Sequence, residues 1–480
     1  MTFTERAQRA GADLALRPVL HFVGRNPGPH MAKLARLVDR ASGRVFPAKT
    51  MAAFQAGAMD SANVWRQLAE HVLREVDRGA LRRLILSLGL GIANGTKLVR
   101  ANREKYHCNI PFQILFDPTS ACNLHCKGCW AGEYHKHENL SLDEMESIVS
   151  QAAALGTRVF MLTGGEPLVR KDDVLRVARR HRNCTFLIYT NATLIDEALV
   201  RETKKLGNIV FAISIEGFEE SNDARRGAGA YRRSMEAIDL LRRERCLFGI
   251  SVCYTRENID TVTSEAFLDE MIARGVRFGF YFHYMPLGAG AAPELLPTAQ
   301  QREWMYHWLR RTRNSKQGKP MFIFDFQNDG EYVGGCIAGG RNYFHINSAG
   351  DIEPCVFIHY ADSNIREHTL LEALRRPLFQ AYYKGQPFND NHLRPCPLLE
   401  NPDCLRAIVN ATGAKSTDLA APERVEDLCA KCECYAKEWA GTAQQLWEGN
   451  AHPTPKTQYY RDAEDLPPRP AATPPQRGIA

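Results

Sequence analysis

Apolar residues recur along the chain with two different periods, and the change between them falls near residue 107. Before that point they are spaced three and four residues apart, as in "PHMAKLARLVDRAS" and "SANVWRQLAEHVLREVD", which predicts amphipathic helices. A denser run, "LILSLGLGIA" at 84–93, has about half the length of a membrane span and predicts a buried helix. We therefore expect residues 1–107 to form a helical domain.

Beyond residue 107, short apolar runs alternate with amphipathic helices six times. The runs are rich in β-branched and aromatic residues and nearly continuous, as expected of strands buried on both faces. Helix boundaries lie between them: "SLDE" at 141–144 has the form of a capping box, and glycines at 156, 207 and 275 follow helical patterns. The predicted strands begin at Phe112, Arg158, Thr185, Ile209, Phe248 and Phe278.

Repeated strand–helix units predict parallel strands with right-handed crossovers. Six units are too few for a closed eight-unit barrel, so we expect an α/β fold built on a partial (βα)6 TIM-type barrel, with functional residues at the carboxyl ends of the strands. The barrel is expected at 108–319, between the helical domain and a cysteine-rich extension at 320–450. Seven prolines in 451–480 predict a disordered tail.

Charge is distributed unevenly over the 480 residues. Residues 1–107 carry 18 Lys and Arg against 8 Asp and Glu, a net charge of +10 in a chain whose formal net charge is +6. A basic segment favours an anionic partner such as a membrane surface, and a solvated helical surface is the alternative. The sequence shows neither a signal peptide nor a run of 18 apolar residues, so we expect a cytoplasmic protein. The basic domain is expected to make peripheral contact with a membrane. A nucleic-acid partner is not expected.

Fourteen cysteines in a reducing compartment indicate metal binding rather than disulfides. Three of them follow the first predicted strand directly in "ACNLHCKGCW", with the spacing C-x3-C-x2-C. Structural zinc sites and ferredoxin clusters use four thiolates. Three thiolates can instead hold three irons of a 4Fe-4S cluster and leave the fourth iron open to a small molecule. The predicted ligands are Cys122, Cys126 and Cys129.

This loop resembles that of the radical S-adenosylmethionine (SAM) enzymes. The resemblance implies a 4Fe-4S cluster whose open iron binds the amino and carboxylate groups of SAM. It also implies reductive cleavage of SAM to a 5′-deoxyadenosyl radical that takes a hydrogen atom from substrate, with electrons from a reductant such as flavodoxin or ferredoxin. Trp130, next to Cys129, is then expected near the adenine.

Polar residues end the next three predicted strands as well, which suits one shared SAM site. The resemblance implies that Glu166, in "TGGEP", accepts a hydrogen bond from the SAM ammonium, and that Asn191 meets the ribose. Either Arg225 or Arg226 is expected to hold the SAM carboxylate, with the other on the surface. The two glycines of "TGGEP" would let the backbone approach the ligand. The other expected SAM-site residues are Gly164, Gly165, Pro167, Ser214 and Glu216.

A second cysteine set follows the barrel. "YFHINSAGDIEPC" predicts a hairpin, and the spacing C-x13-G-x4-C from Cys336 to Cys355 resembles the SPASM extension of some radical SAM enzymes, which implies auxiliary Fe–S clusters. "CAKCEC" lacks the later cysteines of that pattern, so we expect one auxiliary 4Fe-4S cluster, with zinc as the alternative metal. Its expected ligands are Cys336, Cys355, Cys429 and Cys432, with Cys396 as the leading substitute. Cys404 and Cys434 are expected to be free, and Cys184, Cys246 and Cys253 to be small buried apolar residues.

The substrate is constrained only indirectly. A recognisable peptide-binding winged domain does not precede the barrel, and the sixth predicted strand, "RFGFYFHYMPLGAG", is aromatic. With the basic helices, and a resemblance to radical SAM proteins assigned to coupling of lipid chains, these features favour a lipid or other small apolar substrate and C–C bond formation. The alternatives are a SPASM-type enzyme that modifies a peptide or protein and, outside catalysis, an Fe–S redox sensor or scaffold.

Overall fold

A computed structural model describes residues 3–24, 26–42, 48–132, 138–288, 290–418 and 421–450, so the predicted tail at 451–480 lies outside the described residues. Its helices occur in three groups, which precede, surround and follow the barrel strands. The first group is α1 (Phe3–Val23), α2 (Met31–Ser42), α3 (Ala48–Met59), α4 (Val64–Glu75), α5 (Arg78–Leu84) and α6 (Leu90–Tyr106). The second is α7 (Leu142–Leu155), α8 (Lys171–Arg180), α9 (Glu197–Leu206), α10 (Glu219–Arg226), α11 (Ala230–Arg243), α12 (Ile259–Val262), α13 (Glu265–Ala273) and α14 (Ala299–Thr312). The third is α15 (Gly330–Val333), α16 (Leu370–Leu374), α17 (Pro377–Gly385), α18 (Pro402–Thr412) and α19 (Val425–Gly449).

All six predicted strands are present, and the partial barrel is confirmed. Seven strands pair in parallel in chain order, and a C-terminal hairpin extends the sheet beyond the first of them. The seventh parallel strand starts after residue 319, so the sheet continues past the expected barrel boundary. The strands are β1 (Gln113–Phe116), β2 (Val159–Leu162), β3 (Thr185–Thr190), β4 (Ile209–Ser214), β5 (Phe248–Tyr254), β6 (Phe278–His283), β7 (Phe322–Asp325), β8 (His345–Ile346), β9 (Ile352–Glu353), β10 (Tyr360–Ala361) and β11 (Lys415–Ser416).

The sheet separates two hydrophobic cores. Its outer face packs against the barrel helices through residues such as Phe116, Phe160 and Ile213. Because register partners in a parallel sheet point to the same face, the pairing of Ser251 with Phe280 places both side chains on the inner face. The inner face joins the core of the C-terminal region, so that region covers part of the barrel interior.

Local signals fix the barrel helices as predicted. Ser141 accepts a hydrogen bond from the amide of Glu144, whose carboxylate accepts one from the amide of Ser141, so the capping box is confirmed. Gly156, Gly207 and Gly275 all have positive φ, at 112°, 68° and 95°. A left-handed residue is tolerated best at glycine, which explains why these helices end there.

The N-terminal helices share a small core of their own and rest on the barrel. Leu20, Met31 and Leu73 belong to that core. The run at 84–93 includes a π-helical segment, Ile85–Gly89, and Leu86 within it is buried, so the prediction of a buried helix is confirmed. Gly95 of α6 lies so close to the barrel that a Cβ atom there would be 2.3 Å from the carbonyl oxygen of Gly156.

A buried ion pair fastens the C-terminal region to the barrel. Arg302 of α14 and Glu400 are both fully buried and paired. The Arg302 guanidinium also donates to the Tyr435 hydroxyl at 2.9 Å and lies 4.4 Å from the Trp439 ring centroid, both on α19. Within the described residues, every helix is too short or too polar to cross a membrane.

Candidate active site

A cavity of about 160 Å³ opens at the carboxyl ends of the barrel strands, where the fold predicts the site. Its lining includes all three cysteines of the C-x3-C-x2-C loop and most residues of the expected SAM site. In the part of the chain that the structure describes, three or more His, Cys, Asp or Glu side chains nowhere converge as for a single metal ion. An iron–sulfur cluster needs its thiolates farther apart than the ligands of a single metal ion, because each thiolate binds its own iron.

The cysteine loop is held by residues at the ends of two other strands and by helix α10. The amide of Glu166, after β2, donates to the carbonyl oxygen of Ala121 at 2.8 Å. The side-chain amide of Asn191, after β3, donates to Asn123 at 2.8 Å, and the amide of Lys127 donates to the carbonyl oxygen of Arg225 at 2.8 Å. The loop therefore has a defined place although it contains no regular secondary structure.

The two glycines of "TGGEP" are required by the protein's own backbone. Gly164 has φ of +99°, and a Cβ atom there would be 2.5 Å from the carbonyl oxygen of Thr119. At Gly165, a Cβ atom would be 2.2 Å from the carbonyl oxygen of Ala121. The close approach that the structure shows is therefore to the backbone just before the cysteine loop. Both glycines also line the cavity, so their approach to a ligand stays a prediction.

Glu166 lines the cavity and is almost fully buried. Its carboxylate accepts hydrogen bonds from the amides of Leu168 and Asn191, at 2.9 and 2.8 Å, and from the hydroxyl of Thr190 at 2.7 Å. Burial raises the pKa of Glu166 to about 7, against the opposing effect of these donors. Because a carboxylate has about four acceptor positions, one remains for a further donor such as an ammonium group.

Arg225 and Arg226 both line the cavity and are only 13% and 12% exposed, so the expectation that one of them is a surface residue is wrong. Both donate to the same oxygen of Glu216, at 2.6 Å. Glu216 is fully buried behind them and does not line the cavity, so the structure gives it the position of an anchor for the arginines. Two guanidinium groups against one carboxylate leave a positive charge beside Cys126, which suits an anionic group.

Of the remaining residues that were expected to bind SAM, some line the cavity and others pack behind its walls. Ser214 and Asn191 line the cavity, but the Asn191 amide already bonds the cysteine loop. Pro167 is buried, does not line the cavity and begins a 3-10 turn. The Trp130 ring lies 6.0 Å from His345 and 6.4 Å from Phe357, so it packs on the C-terminal region as well as lining the cavity.

The donor set fits an iron–sulfur cluster. Cys122, Cys126 and Cys129 are half-buried and unlinked by disulfides. Burial raises the pKa of Cys122 to about 11 and raises that of Cys126 as well. Such thiols give up their protons when a cation replaces them, which is how thiolates bind metals. The amide of Leu124 already points at the sulfur of Cys122, at 3.4 Å.

Comparison with known proteins identifies the family to which these residues are similar. Residues 116–266, from the end of β1 to α13, match the profile described as the Radical SAM superfamily. The chain belongs to the radical SAM superfamily. It is therefore a radical SAM enzyme, a class that uses a 4Fe-4S cluster and SAM.

This radical SAM enzyme is similar to several proteins of known activity or structure. It is 26% identical to the AdoMet-dependent heme synthase of Methanosarcina barkeri over 375 residues, which cover 71% of this chain and 95% of that protein. It is 25% identical to the PqqA peptide cyclase of Granulibacter bethesdensis over 60% of this chain and 79% of that one. The structure of Streptococcus suis SuiB bound to S-adenosylmethionine matches with a TM-score of 0.50 at 18% identity, over 64% of this chain and 74% of SuiB, which shows a shared fold.

The C-terminal region of this radical SAM enzyme contains the second cysteine set. The predicted hairpin is confirmed by the antiparallel pairing of β8 with β9. Burial, followed by the charges of Glu400, Cys336 and Cys355, raises the pKa of Cys396, which places these thiols in one neighbourhood. The four expected ligands and the leading substitute are all buried or half-buried, whereas Cys434 is exposed.

Three residues that line the cavity of this radical SAM enzyme were not predicted from the sequence. Cys253, expected to be only a small core residue, lines the cavity beside Phe282, its register partner on β6. The signal that could have identified it is the period of two along β5, which puts Cys253 on the same face as Ser251. Tyr189 and Phe357 also line the cavity, and the sequence did not single out either of them.

Proposed function

We propose that this radical SAM enzyme removes a hydrogen atom from an apolar part of its substrate, such as a lipid chain, with C–C bond formation as one outcome. The observation that carries the proposal is the composition of one cavity. The same space that is lined by the three cluster cysteines is lined by Leu115, Phe282, Met285 and Phe357. An apolar group can therefore lie beside the proposed SAM site without leaving an apolar environment.

Aromatic rings continue from this cavity into the barrel interior. Phe282 stacks on Phe326 at 4.9 Å, and Phe280 stacks on Phe324 at 4.8 Å. Tyr189 presents its edge to Phe280 at 5.5 Å. Burying a hydrocarbon group against such surfaces is favourable by about 0.8 kcal/mol per methylene. These stacked rings support an apolar substrate.

The positions described above support the following cofactor-binding roles as part of the proposal. Cys122, Cys126 and Cys129 would hold the cluster, Glu166 would accept the SAM ammonium, and the Arg225–Arg226 pair would hold the SAM carboxylate. When bound, the cluster and SAM supply one-electron cleavage of SAM to the 5′-deoxyadenosyl radical. The apolar walls of the cavity would exclude water from the reacting groups.

An auxiliary cluster in the second cysteine set is part of the proposal. Cys336, Cys355 and Cys396 would supply three thiolates, and the Cys429–Cys432 pair on α19 the fourth. The hydroxyl of Tyr343 lies 2.7 Å from the Cys355 sulfur, as a hydrogen bond to a cluster thiolate would require. This assignment promotes Cys396 from substitute to ligand, because it lies within electrostatic range of both Cys336 and Cys355.

A second candidate function is modification of a peptide. The PqqA peptide cyclase relative and the SPASM-type character of the homologues favour it, and these comparisons support a peptide more than they support a lipid. The heme synthase relative extends the range of apolar substrates to planar molecules. A peptide side chain would use the same aromatic wall, so the two candidates differ in what carries the reacting group into the cavity.

Deuterium transfer separates the candidates. The anaerobically reconstituted protein is given SAM, dithionite and, in separate reactions, a phospholipid with deuterated acyl chains, a deuterated peptide or a deuterated porphyrin. The proposal expects deuterium in 5′-deoxyadenosine from the acyl chains. Transfer from the peptide alone would establish the second candidate, and transfer from the porphyrin alone would replace the lipid chain with a planar substrate.

Two controls tie the result to the site. Phe282→Ala should reduce deuterium transfer while leaving substrate-free formation of 5′-deoxyadenosine in place, because Phe282 lines the apolar wall of the cavity. Failure to form 5′-deoxyadenosine under any condition would favour the redox sensor or scaffold, since such a protein has no need to cleave SAM.

A further inference from the structure

Exposed apolar side chains are concentrated on the first three helices. Of the eleven large hydrophobic residues that are exposed in the described chain, five belong to α1–α3. They are Leu14 and Phe22, 71% and 62% exposed, Leu37 at 43%, Phe54 at 43% and Met59 at 73%. Single exposed apolar residues are ordinary, but a concentration of this kind on neighbouring helices marks an interaction surface.

The α1 helix shows the pattern in detail. Its inner face carries Leu20 and Val23 into the small N-terminal core. Its outer face is also apolar, because positions spaced three and four residues apart carry no charge there. Basic side chains lie along one edge, at Arg6 and Arg17. The outer-face residues are Ala7, Ala10, Leu14, Ala15, Pro18 and Phe22, all exposed.

Charge identifies the kind of partner. Residues 1–59, which end with α3, contain nine Lys and Arg but only three Asp and Glu, so this segment accounts for the whole net charge of +6. Arg6, Lys33 and Arg36 are exposed. Apolar side chains beside basic ones are the composition of helices that lie in the interface of an anionic bilayer.

We propose that α1–α3 form a docking surface for an anionic lipid bilayer, with Leu14, Phe22, Phe54 and Met59 entering the interface and the basic residues contacting headgroup phosphates. The apolar run at 84–93 takes no part in this surface, because Leu84 and Leu86 are buried. The proposal does not depend on which substrate the barrel binds, so it can fail while the proposed reaction stands.

Vesicle sedimentation tests the proposal on the full, reconstituted chain. The wild-type protein should sediment with phosphatidylcholine–phosphatidylglycerol vesicles, remain in solution with phosphatidylcholine vesicles alone, and be released from the mixed vesicles by high salt. Leu14→Glu/Phe22→Glu and Arg6→Glu/Lys33→Glu should each weaken binding by at least about tenfold. The control is Leu98→Glu, which places one glutamate on an apolar residue that is 37% exposed on α6 and should leave binding unchanged.

Each other result overturns the proposal. Equal sedimentation with both vesicle types would mean that anionic lipid is not the partner. Equal losses in the Leu98 control and the α1 variant would mean that the surface is not localised to α1–α3. Light scattering without lipid provides the remaining outcome: a dimer of the wild-type chain that Leu14→Glu/Phe22→Glu dissociates would assign the surface to a second copy of the chain instead. Unchanged melting temperature and iron content in each variant would show that the fold is intact.

Discussion

The two cysteine sets are built in different ways. The first lies within eight residues of one loop, and the ends of neighbouring strands hold that loop through backbone and amide hydrogen bonds. The second is spread from 336 to 432 over a hairpin, a loop and a helix, and a buried ion pair fixes its surroundings. The first opens into a cavity, whereas Cys429 and Cys432 are fully buried. An open set suits a cluster that binds a ligand, and a closed set suits one that does not.

Replacing the cysteines of each set separately should have the largest effect on iron content and activity. It tests directly whether the two sets hold different clusters. The reconstituted wild-type protein is expected to hold about eight irons, about four per 4Fe-4S cluster. Cys122→Ala/Cys126→Ala/Cys129→Ala should remove about half of the iron and abolish formation of 5′-deoxyadenosine. Iron analysis and product chromatography measure the two results.

Cys336→Ala/Cys355→Ala/Cys396→Ala is the reciprocal variant. It should also lose about half of the iron but still cleave SAM without substrate, because the cavity and its three cysteines are untouched. If the reciprocal variant keeps its full iron content, or holds zinc in place of the missing iron, the auxiliary Fe–S cluster is contradicted.

The same contrast explains what could be predicted from the sequence. The first ligand set was predictable because the spacing of Cys122, Cys126 and Cys129 is local and its position follows from the strand before it. The six barrel strands were predictable because their apolar runs are nearly continuous and their helices have explicit caps. These features depend on residues that are close together in the chain.

Features that depend on distant residues were not predictable. The tertiary fold brings Cys396 within electrostatic range of Cys336 and Cys355, which no spacing rule describes. Both arginines line the cavity because one buried carboxylate, Glu216, pairs with both of them, and this pairing depends on how the chain packs although Glu216 lies only nine and ten residues before them. The short strand β7 was missed because the apolar rhythm ends near it, although its pairing with β6 continues the sheet.

Replacing Arg302 should have the next largest effect, and it should lower the iron content of the second cysteine set selectively. Glu400, its partner, accepts a hydrogen bond from the amide of Cys396 at 2.6 Å, so the ion pair positions that cysteine. Arg302→Met leaves Glu400 buried without its cation, which should cost about 3–5 kcal/mol of stability. We expect iron to be lost from the second set first, with a changed electron paramagnetic resonance signal for the auxiliary cluster only.

Arg313→Met is the matched control for Arg302. Arg313 lies next to the end of the same helix and pairs with Asp329 at 2.6 and 2.7 Å, but both side chains are more exposed. Its replacement should lower stability while leaving the signal of the auxiliary cluster unchanged. Equal loss of iron in the two variants would show that general destabilisation, rather than the position of Cys396, controls the second set.

Replacing Glu166 should have the smallest effect of these changes, and the effect should be confined to SAM binding beside the first cysteine set. Its carboxyl group has a pKa raised from 4.5 to about 7, so it is ionised above that pH and neutral below it. The ionised form is the better acceptor for the SAM ammonium, and SAM binding should therefore tighten as pH rises through about 7. At pH 8, Glu166→Gln should weaken SAM binding by about 1.5–3 kcal/mol, or tenfold to a hundredfold, with the iron content unchanged.

The stability of the metal-free protein gives an independent reading of the same group. A raised carboxyl pKa means that the folded state binds the proton more tightly than the unfolded state. Stability should therefore fall as pH rises between about 4.5 and 7, by roughly 3 kcal/mol from this group, and the decline should be absent in Glu166→Gln. Denaturant titrations of both proteins across this range measure the difference. Parallel pH profiles, together with unchanged SAM affinity, would remove Glu166 from the SAM site and leave it only the role of bonding Leu168, Thr190 and Asn191.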